Sequence, residues 1–436
     1  MIKLKNFILV TNLPFKWMIS EKIQSGINGE INIPGDKSIS HRSIIIPSIS
    51  KGVCEITNIL KSDDVIHTLN AFKLMGVKIK ESNNKILVYG NGLNSLKKPS
   101  NDIYLGNSGT AARLLTGLLS SQNFTSTLKG DKSLSSRPMK RIMDPLIKMS
   151  AEFESKDGKL PIKIIGKELY NYNHEISIPS AQIKSGLILS CLNTKGQSTI
   201  TENNITRDHT EIMLELFGAD IEVIRNSNCK KIKINGKKEL VSKNLEIPSD
   251  LSSSAFFIVA ALINPNSEII LKKINLNPTR DGIIKAIRLM GANIKITNKK
   301  KLNNENIGDI IVTSSNLKGC ELDGNIAKLM IDEYPILSIA ASFANSPSIF
   351  RGLGELKVKE SNRLELIRLN LNKCGIYSKV LGDDLYINPL KSSEIKDKLI
   401  KTDFDHRIAM AFAIMGSKIG GLKIQDPKSI NTSFPN

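Results

Sequence analysis

Long apolar runs are missing from this chain of 436 residues. The longest, 255–263, falls well short of the roughly 20 residues that a membrane-crossing helix needs, so no span is expected. The apolar run at 7–10 is shorter than a signal-peptide core, and no small-residue cleavage site follows it. Residues 1–25 are therefore read as a short N-terminal extension. Cysteine is scarce: there are 5, widely spaced and without a CxxC pair. That argues against a disulfide framework or a zinc site and points to a reducing cytoplasm. The 5 histidines include no pair at metal-ligand spacing. Aromatics are only 5% of the chain, and no RNA- or DNA-binding motif is present, which disfavours a basic nucleic-acid-binding protein. The GxxxxGK[ST] string of a P-loop is absent.

What is present is ordinary globular material, with 40% hydrophobic and 24% charged residues. At roughly 150 residues per domain the length suggests two large domains or about three smaller ones. The formal net charge of +19 favours anionic partners. Of the 61 basic residues only 12 are arginine. In so lysine-rich a chain, the positions of arginine carry the information.

The chain repeats itself, and a repeat decides the fold. A Gly- or Ser-containing turn leading into a helix of small and apolar residues begins near Pro34, Gly106, Pro179, Pro248, Ile331 and Asp403. Between these starts lies a second segment type: a helix, a glycine, then two strands. Leu364, Ile367, Leu371 and Cys374 fall at helical spacing before Gly375. Asp63 and Asp64 suit a helix N-terminus, and Gly76 ends that helix. Val77 and Ile79, then Asn83-Asn84, then Ile86 and Val88 read as a hairpin. Segments 207–236 and 277–315 fit the same reading, and 137–166 fits more loosely.

The expected fold class is α/β (α+β): six βαβαββ-like units, arranged as two similar domains of three units each. One domain is expected at 35–247. The other is expected to be built from both chain ends, 26–34 plus 248–436, with crossovers near Pro34 and Pro248. The sixth unit lacks its helix-plus-hairpin half, and the strand near 29–33 is expected to complete it.

Arg42, Arg113, Arg137, Arg207, Arg363 and Arg407 all sit at or near turns that open repeat segments of one type or the other. Helix starts offer unpaired N–H groups to anions, and arginine adds a bidentate fork. The pattern predicts binding of more than one phosphate or carboxylate; ion pairs stitching loops together are the structural alternative. Asp332-Glu333 and Lys359-Glu360 set carboxylates beside a lysine, the kit for general acid–base work. Gly352-Leu353-Gly354 reads as a turn, His209 and His406 as structural, and the cysteines as buried.

An ordered set of strings carries a resemblance. They are PGDKSISHR at 34–42, SDDV at 62–65, LGNSGTAAR at 105–113, RPM at 137–139, SAQIKS at 180–185 and TRDHTE at 206–211. NPTR at 277–280, IDEYP at 331–335, VKESNR at 358–363, DHRIAMAFA at 405–413 and TSFP at 432–435 follow. Together they resemble the EPSP synthase (3-phosphoshikimate 1-carboxyvinyltransferase) family of enolpyruvyl transferases, in its class II branch. The resemblance implies an inside-out α/β barrel-like pair of domains with the active site in the interdomain cleft. It implies transfer of the enolpyruvyl group of phosphoenolpyruvate to the 5-hydroxyl of shikimate 3-phosphate, with no metal or organic cofactor, by a cytoplasmic monomer with neither nucleic-acid nor membrane partner.

By the same resemblance, Lys37, Ser38, Arg42, Ser180, Ala181, Gln182 and Arg207 bind shikimate 3-phosphate, with Asp332 and Lys359 on its ring hydroxyls. Lys37, Gly109, Arg137, Gln182, Arg363 and Arg407 bind phosphoenolpyruvate. Asp332 is the base at the hydroxyl, and Glu360 with Lys37 moves the proton at the methylene carbon. Two departures stand out. Some relatives place a phosphoenolpyruvate-touching lysine where this chain has Thr432, and relatives usually continue past SFP into a final helix. The sister branch, which transfers enolpyruvate to a UDP-sugar (UDP-N-acetylglucosamine), carries a cysteine in the loop near Arg137. Residues 132–141 contain none.

Overall fold

A computed structural model of the chain describes residues 17–83, 85–226, 229–390 and 399–435. Most of the 1–25 extension, Asn84 of the first hairpin turn and the terminal Asn436 lie outside the described residues.

Contacts divide the chain into two compact units. One comprises residues 35–247 together with 302–305. The other comprises 1–34, 248–301 and 306–436. Each has its own apolar core. Among the described residues there are five four-stranded sheets and one three-stranded sheet, three in each unit.

One repeat shows the plan. Strand Asn173–Ile176 leads to helix Ala181–Cys191, strand Gln197–Glu202, helix His209–Leu216 and the strands Asp220–Arg225 and Lys230–Asn235. The first strand lies parallel to the second, which runs antiparallel to the last, and the final two form a hairpin. The segment read as a looser match follows the same order, with helices Lys132–Ser136 and Lys140–Ile147 before strands Glu152–Ser155 and Ile162–Ile165.

Three repeats borrow a strand from a distant part of the chain. Leu245–Glu246 lies parallel to Lys51–Thr57, so the 35–247 unit closes on its own last strand. Asn28–Ile31 lies parallel to Glu268–Asn275. This corrects the expectation that the strand near 29–33 completes the sixth repeat: it completes the fourth. The sixth repeat, Leu399–Ile400, helix His406–Ile419 and Leu422–Gln425, is completed instead by Trp17–Ser20, antiparallel to Leu422–Gln425. Residues 17–20, expected to lie in an extension, are thus a strand of the fold. Met18 is buried there and packs into the core, an apolar contact that fixes the strand's register.

The apolar run at 255–263 is the interior of helix Leu251–Ile263, whose every residue is buried. A helix apolar all round belongs inside a core. Among the described residues no helix is long and apolar enough to cross a membrane. Cys54, Cys191 and Cys374 are buried as expected; Cys229 and Cys320 are partly exposed, a correction that follows from their places at a hairpin turn and just before an edge strand.

Candidate active site

Five of the six repeat-opening turns are side-chain-capped helix starts. Asp36, Ser108, Ser180, Asp250 and Asp405 each accept a backbone N–H in the first turn of the helix that follows. At the sixth, Glu333 precedes helix Tyr334–Ser342 without a side-chain cap bond. Lys37, Ser38, Arg42, Gly109, Ser180, Ala181, Gln182, Asp332 and Arg407 lie at or near these starts, whereas Arg137, Arg207, Lys359, Glu360 and Arg363 lie at or before the second helix of their repeats.

In the 35–247 unit, helices Gly109–Ser120 and Ala181–Cys191 touch backbone to backbone. A methyl on Gly117 would lie 1.9 Å from the Gly186 carbonyl oxygen, so only glycine permits this approach. The crossing brings the two helix starts together. Gln182 Nε2 donates to Thr110 Oγ1 at 3.0 Å, and its Oε1 accepts from Arg113 Nη1 at 2.8 Å. Arg137 follows the short helix Lys132–Ser136, and its Nη2 donates to Asn107 Oδ1 and to Ser133 Oγ. Its buried Nε has no partner among the described residues. Gly109 faces both guanidiniums: a methyl there would lie 2.8 Å from Arg113 Nη1 and 3.1 Å from Arg137 Nη1.

Both are the far ends of flexible side chains, so Gly109→Ala should be tolerated by the fold while displacing the guanidiniums. A raised KM for an anionic substrate with little change in Tm is the expected result. Unchanged steady-state kinetics would show that neither arginine at this helix start meets substrate.

A second group in this unit surrounds Arg42, which is buried on helix Lys37–Ser48. Its Nε donates to Thr210 Oγ1 at 2.6 Å and its Nη2 to Ser185 Oγ at 2.7 Å. Its Nη1 donates to the Ser38 carbonyl at 2.8 Å. Burial lowers its pKa to about 10, opposed chiefly by Glu211, and Arg207 is near enough to contribute to the lowering. Lys37, the first residue of the helix, pairs with the buried carboxylate of Asp64.

Behind Arg42 lie four fully enclosed charges. Lys184 is 2.9 Å from Glu202 and 2.8 Å from Glu211; Lys230 is 3.0 Å from Glu202 and 2.9 Å from Glu211. Burial alone would push the Glu211 carboxyl up, but Lys184 and Lys230 outweigh it and hold it at about 2. A depressed carboxylate contributes stability that is complete above its unfolded value, near 4.5, and is lost as pH falls through about 2. Denaturant titrations over that window should show stability declining in the wild type and a shallower decline in Glu211→Gln. Equal slopes would mean that Glu211 is not held ionised by the lysines.

In the other unit the expected residues form one network. Arg363, 1% exposed, opens helix Arg363–Lys373. Its Nε donates to Asp405 Oδ2 at 2.8 Å, its Nη1 to Asp332 Oδ1 at 3.2 Å, and its Nη2 lies 2.7 Å from Glu360 Oε2. Burial would lower the Arg363 pKa, but Asp405, Glu360 and Asp332 outweigh it and raise it. Lys359 Nζ lies 3.1 Å from the same Asp332 oxygen. Arg407 Nη1 donates to the Asp332 carbonyl at 3.0 Å, and its backbone N–H donates to Asp405 Oδ1 at 3.0 Å. The group thus holds carboxylates suited to proton transfer against cations suited to anions.

Apart from Arg42, which lies in the second turn of its helix, the expected residues sit at a helix start or in the loop beside one, and the 332–407 set is joined by direct bonds. Asp64 and Asp405 were missed as site residues. Asp405 was legible: an aspartate directly ahead of HR and an apolar helix is an N-cap signature. Arg280 was missed too. It is buried and donates to Ser252 Oγ at 2.5 Å, while Ser252 bonds Glu333. Its partners lie far away in sequence. His209 bonds Glu305 at 2.6 Å, the structural role expected of it.

Acid–base groups and fixed cations on a repeated α/β frame define an enzyme of anionic small molecules. The EPSP synthase (3-phosphoshikimate 1-carboxyvinyltransferase) family profile matches residues 22–436. Relatives named 3-phosphoshikimate 1-carboxyvinyltransferase are 44% identical over 418 residues in Oenococcus oeni and 43% identical over 410 residues in Vesicomyosocius okutanii. The first match covers 94% of each chain, the second 94% of this chain and 93% of the relative. A solved structure of EPSP synthase from Acinetobacter baumannii superposes with a TM-score of 0.84 at 38% identity, covering 96% of both chains. The chain belongs to the EPSP synthase family.

Proposed function

We propose that this chain transfers the enolpyruvyl group of phosphoenolpyruvate to the 5-hydroxyl of shikimate 3-phosphate and releases phosphate. The observation that carries the chemical reading is the cluster in which Asp332 shares one oxygen with Lys359 and Arg363 while Glu360 holds the same guanidinium. In this reading Asp332 takes the proton of the attacking hydroxyl. Glu360, with Lys37, protonates the methylene carbon, leaving a cation-like centre that the hydroxyl oxygen attacks. The C–O bond to phosphate then breaks as the new methyl group returns a proton.

Arg42, Arg207 and Lys37 hold shikimate 3-phosphate with Ser38, Ser180, Ala181 and Gln182, and Lys359 helps orient its ring hydroxyls. Lys37, Gly109, Arg137, Gln182, Arg363 and Arg407 hold phosphoenolpyruvate. In this reading two phosphates and two carboxylates meet fixed cations, which stabilise charge best when they need not reorganise. We place the enzyme in the cytoplasm and take it to act as a monomer, which sedimentation at working concentration tests.

The deciding assay is phosphate release. It should require phosphoenolpyruvate and shikimate 3-phosphate together, with neither alone sufficient. Release supported instead by phosphoenolpyruvate and UDP-N-acetylglucosamine would move the chain to the sister reaction.

A further inference from the structure

The four enclosed charges behind Arg42 have no place in the mechanism above, yet two of them lie in the strings SAQIKS and TRDHTE. Lys184, Glu202 and Lys230 are 0% exposed and Glu211 is 3% exposed. They join four elements: helix Ala181–Cys191, strand Gln197–Glu202, helix His209–Leu216 and strand Lys230–Asn235. Stability alone does not explain them, because a buried ion cluster is often no better than well-packed apolar side chains of the same volume. What distinguishes this cluster is what stands next to each charge.

Both ammoniums donate to the Thr206 carbonyl, Lys184 at 3.2 Å and Lys230 at 3.4 Å, and the Thr206 hydroxyl donates to Glu202. The residue after Thr206 is Arg207, so the chain is clamped immediately before that arginine. Ser185 follows Lys184, and Thr210 precedes Glu211. Those two hydroxyls are 2.7 Å apart and accept the Arg42 Nη2 and Nε hydrogens. The tetrad is thus an inner layer, and Arg42 with its two hydroxyls an outer one built on the same turns of helix.

We infer that Lys184, Glu202, Glu211 and Lys230 are positioning residues that set where the guanidiniums of Arg42 and Arg207 stand, and thereby the affinity for the phosphate of the alcohol substrate. This rests on the reading that Arg42 and Arg207 hold that phosphate. Neutralising one member leaves an uncompensated buried charge and lets the clamp at Thr206 shift. Neutralising one lysine and one glutamate together restores balance but not the clamp.

The test uses the full-length enzyme in three variants: Glu211→Gln, Lys184→Met, and the Lys184→Met/Glu211→Gln double. KM is measured for each substrate, and shikimate 3-phosphate binding is titrated calorimetrically without phosphoenolpyruvate. Each single variant should raise KM for shikimate 3-phosphate at least tenfold while KM for phosphoenolpyruvate stays within about twofold. The double variant should regain Tm and still bind shikimate 3-phosphate weakly, a split that a purely structural role does not produce. It also keeps the proposal testable should a single variant fail to fold. Wild-type affinity in the double variant, or parallel loss of both substrates, overturns the inference. Arg42→Met and Arg207→Ala serve as controls. If they leave shikimate 3-phosphate binding intact, the assignment of the phosphate site is what fails. If they abolish it while the double variant binds normally, the positioning role alone is wrong.

Discussion

Asp332→Asn should lower kcat by about 10²–10⁴, the usual contribution of a positioned acid–base group. Asparagine keeps the size of the side chain and its ability to accept from Lys359 and Arg363, which lie at 3.1 and 3.2 Å from Oδ1. The backbone carbonyl of residue 332, which accepts from Arg407, is untouched. The amide cannot take a proton, so the loss falls on the chemical step and KM for either substrate moves less. Glu360→Gln should behave alike, because glutamine still accepts from Arg363. Steady-state kinetics with both substrates at saturation read the effect. Wild-type turnover in either variant removes that residue from the proton path.

Asp405→Ala should cost about 3 kcal/mol of stability, the low end for breaking a buried ion pair, because Arg363 loses the carboxylate on its Nε but keeps Asp332 and Glu360. Asp405 is itself 0% exposed and accepts from Arg363 Nε, Ser361 Oγ and the backbone of Arg407, capping the helix His406–Ile419. Burial would raise its pKa, but Arg363 outweighs that and lowers it. Asp405→Asn separates the two roles. Asparagine is as good a cap as aspartate, so any loss it shares with alanine measures the charge pair. At about 2–4 °C per kcal/mol in a unit of this size, the alanine variant should melt on the order of 10 °C lower. It should also raise KM for phosphoenolpyruvate, since Arg363 and Arg407 lose a common anchor. A melting curve within a degree of wild type would show that the pair contributes no net stability.

Local signals made much of this legible. Asp36, Ser108, Ser180 and Asp405 each stand directly before a helix of small apolar residues, and capping chemistry acts within three residues. Gly76 and Gly375 take positive φ values of 83° and 76° just past their helices, as their places in the sequence implied. The arginines were conspicuous because lysine does nearly all the solvating. What failed was pairing across long separations. Trp17–Ser20 and Asn28–Ile31 are both short strands, and nothing local says which of two distant strands each one joins. The tetrad was invisible for the same reason: its members are spread from 184 to 230 and read singly as surface lysines and glutamates. Arg280 escaped because its role depends on Ser252 and Glu333, which only the folded chain brings together.

The borrowed strands also order events during synthesis. The last strand of the 35–247 unit, Leu245–Glu246, leaves the ribosome before half of the other unit has been made. Its three sheets therefore have all their strands early. The other unit cannot finish until Leu422–Gln425 emerges to receive Trp17–Ser20, and Asn28–Ile31 must wait for Glu268–Asn275. The first described strands, Trp17–Ser20 and Asn28–Ile31, are thus translated long before their partners. Until then the nascent chain carries unpaired strand edges, the apolar Trp17–Ser20 among them, the kind of surface that chaperones shield. Joining residue 436 to residue 1 and reopening the chain near residue 34 or 247 would bring 248–436 and 1–34 into one continuous stretch beside 35–247.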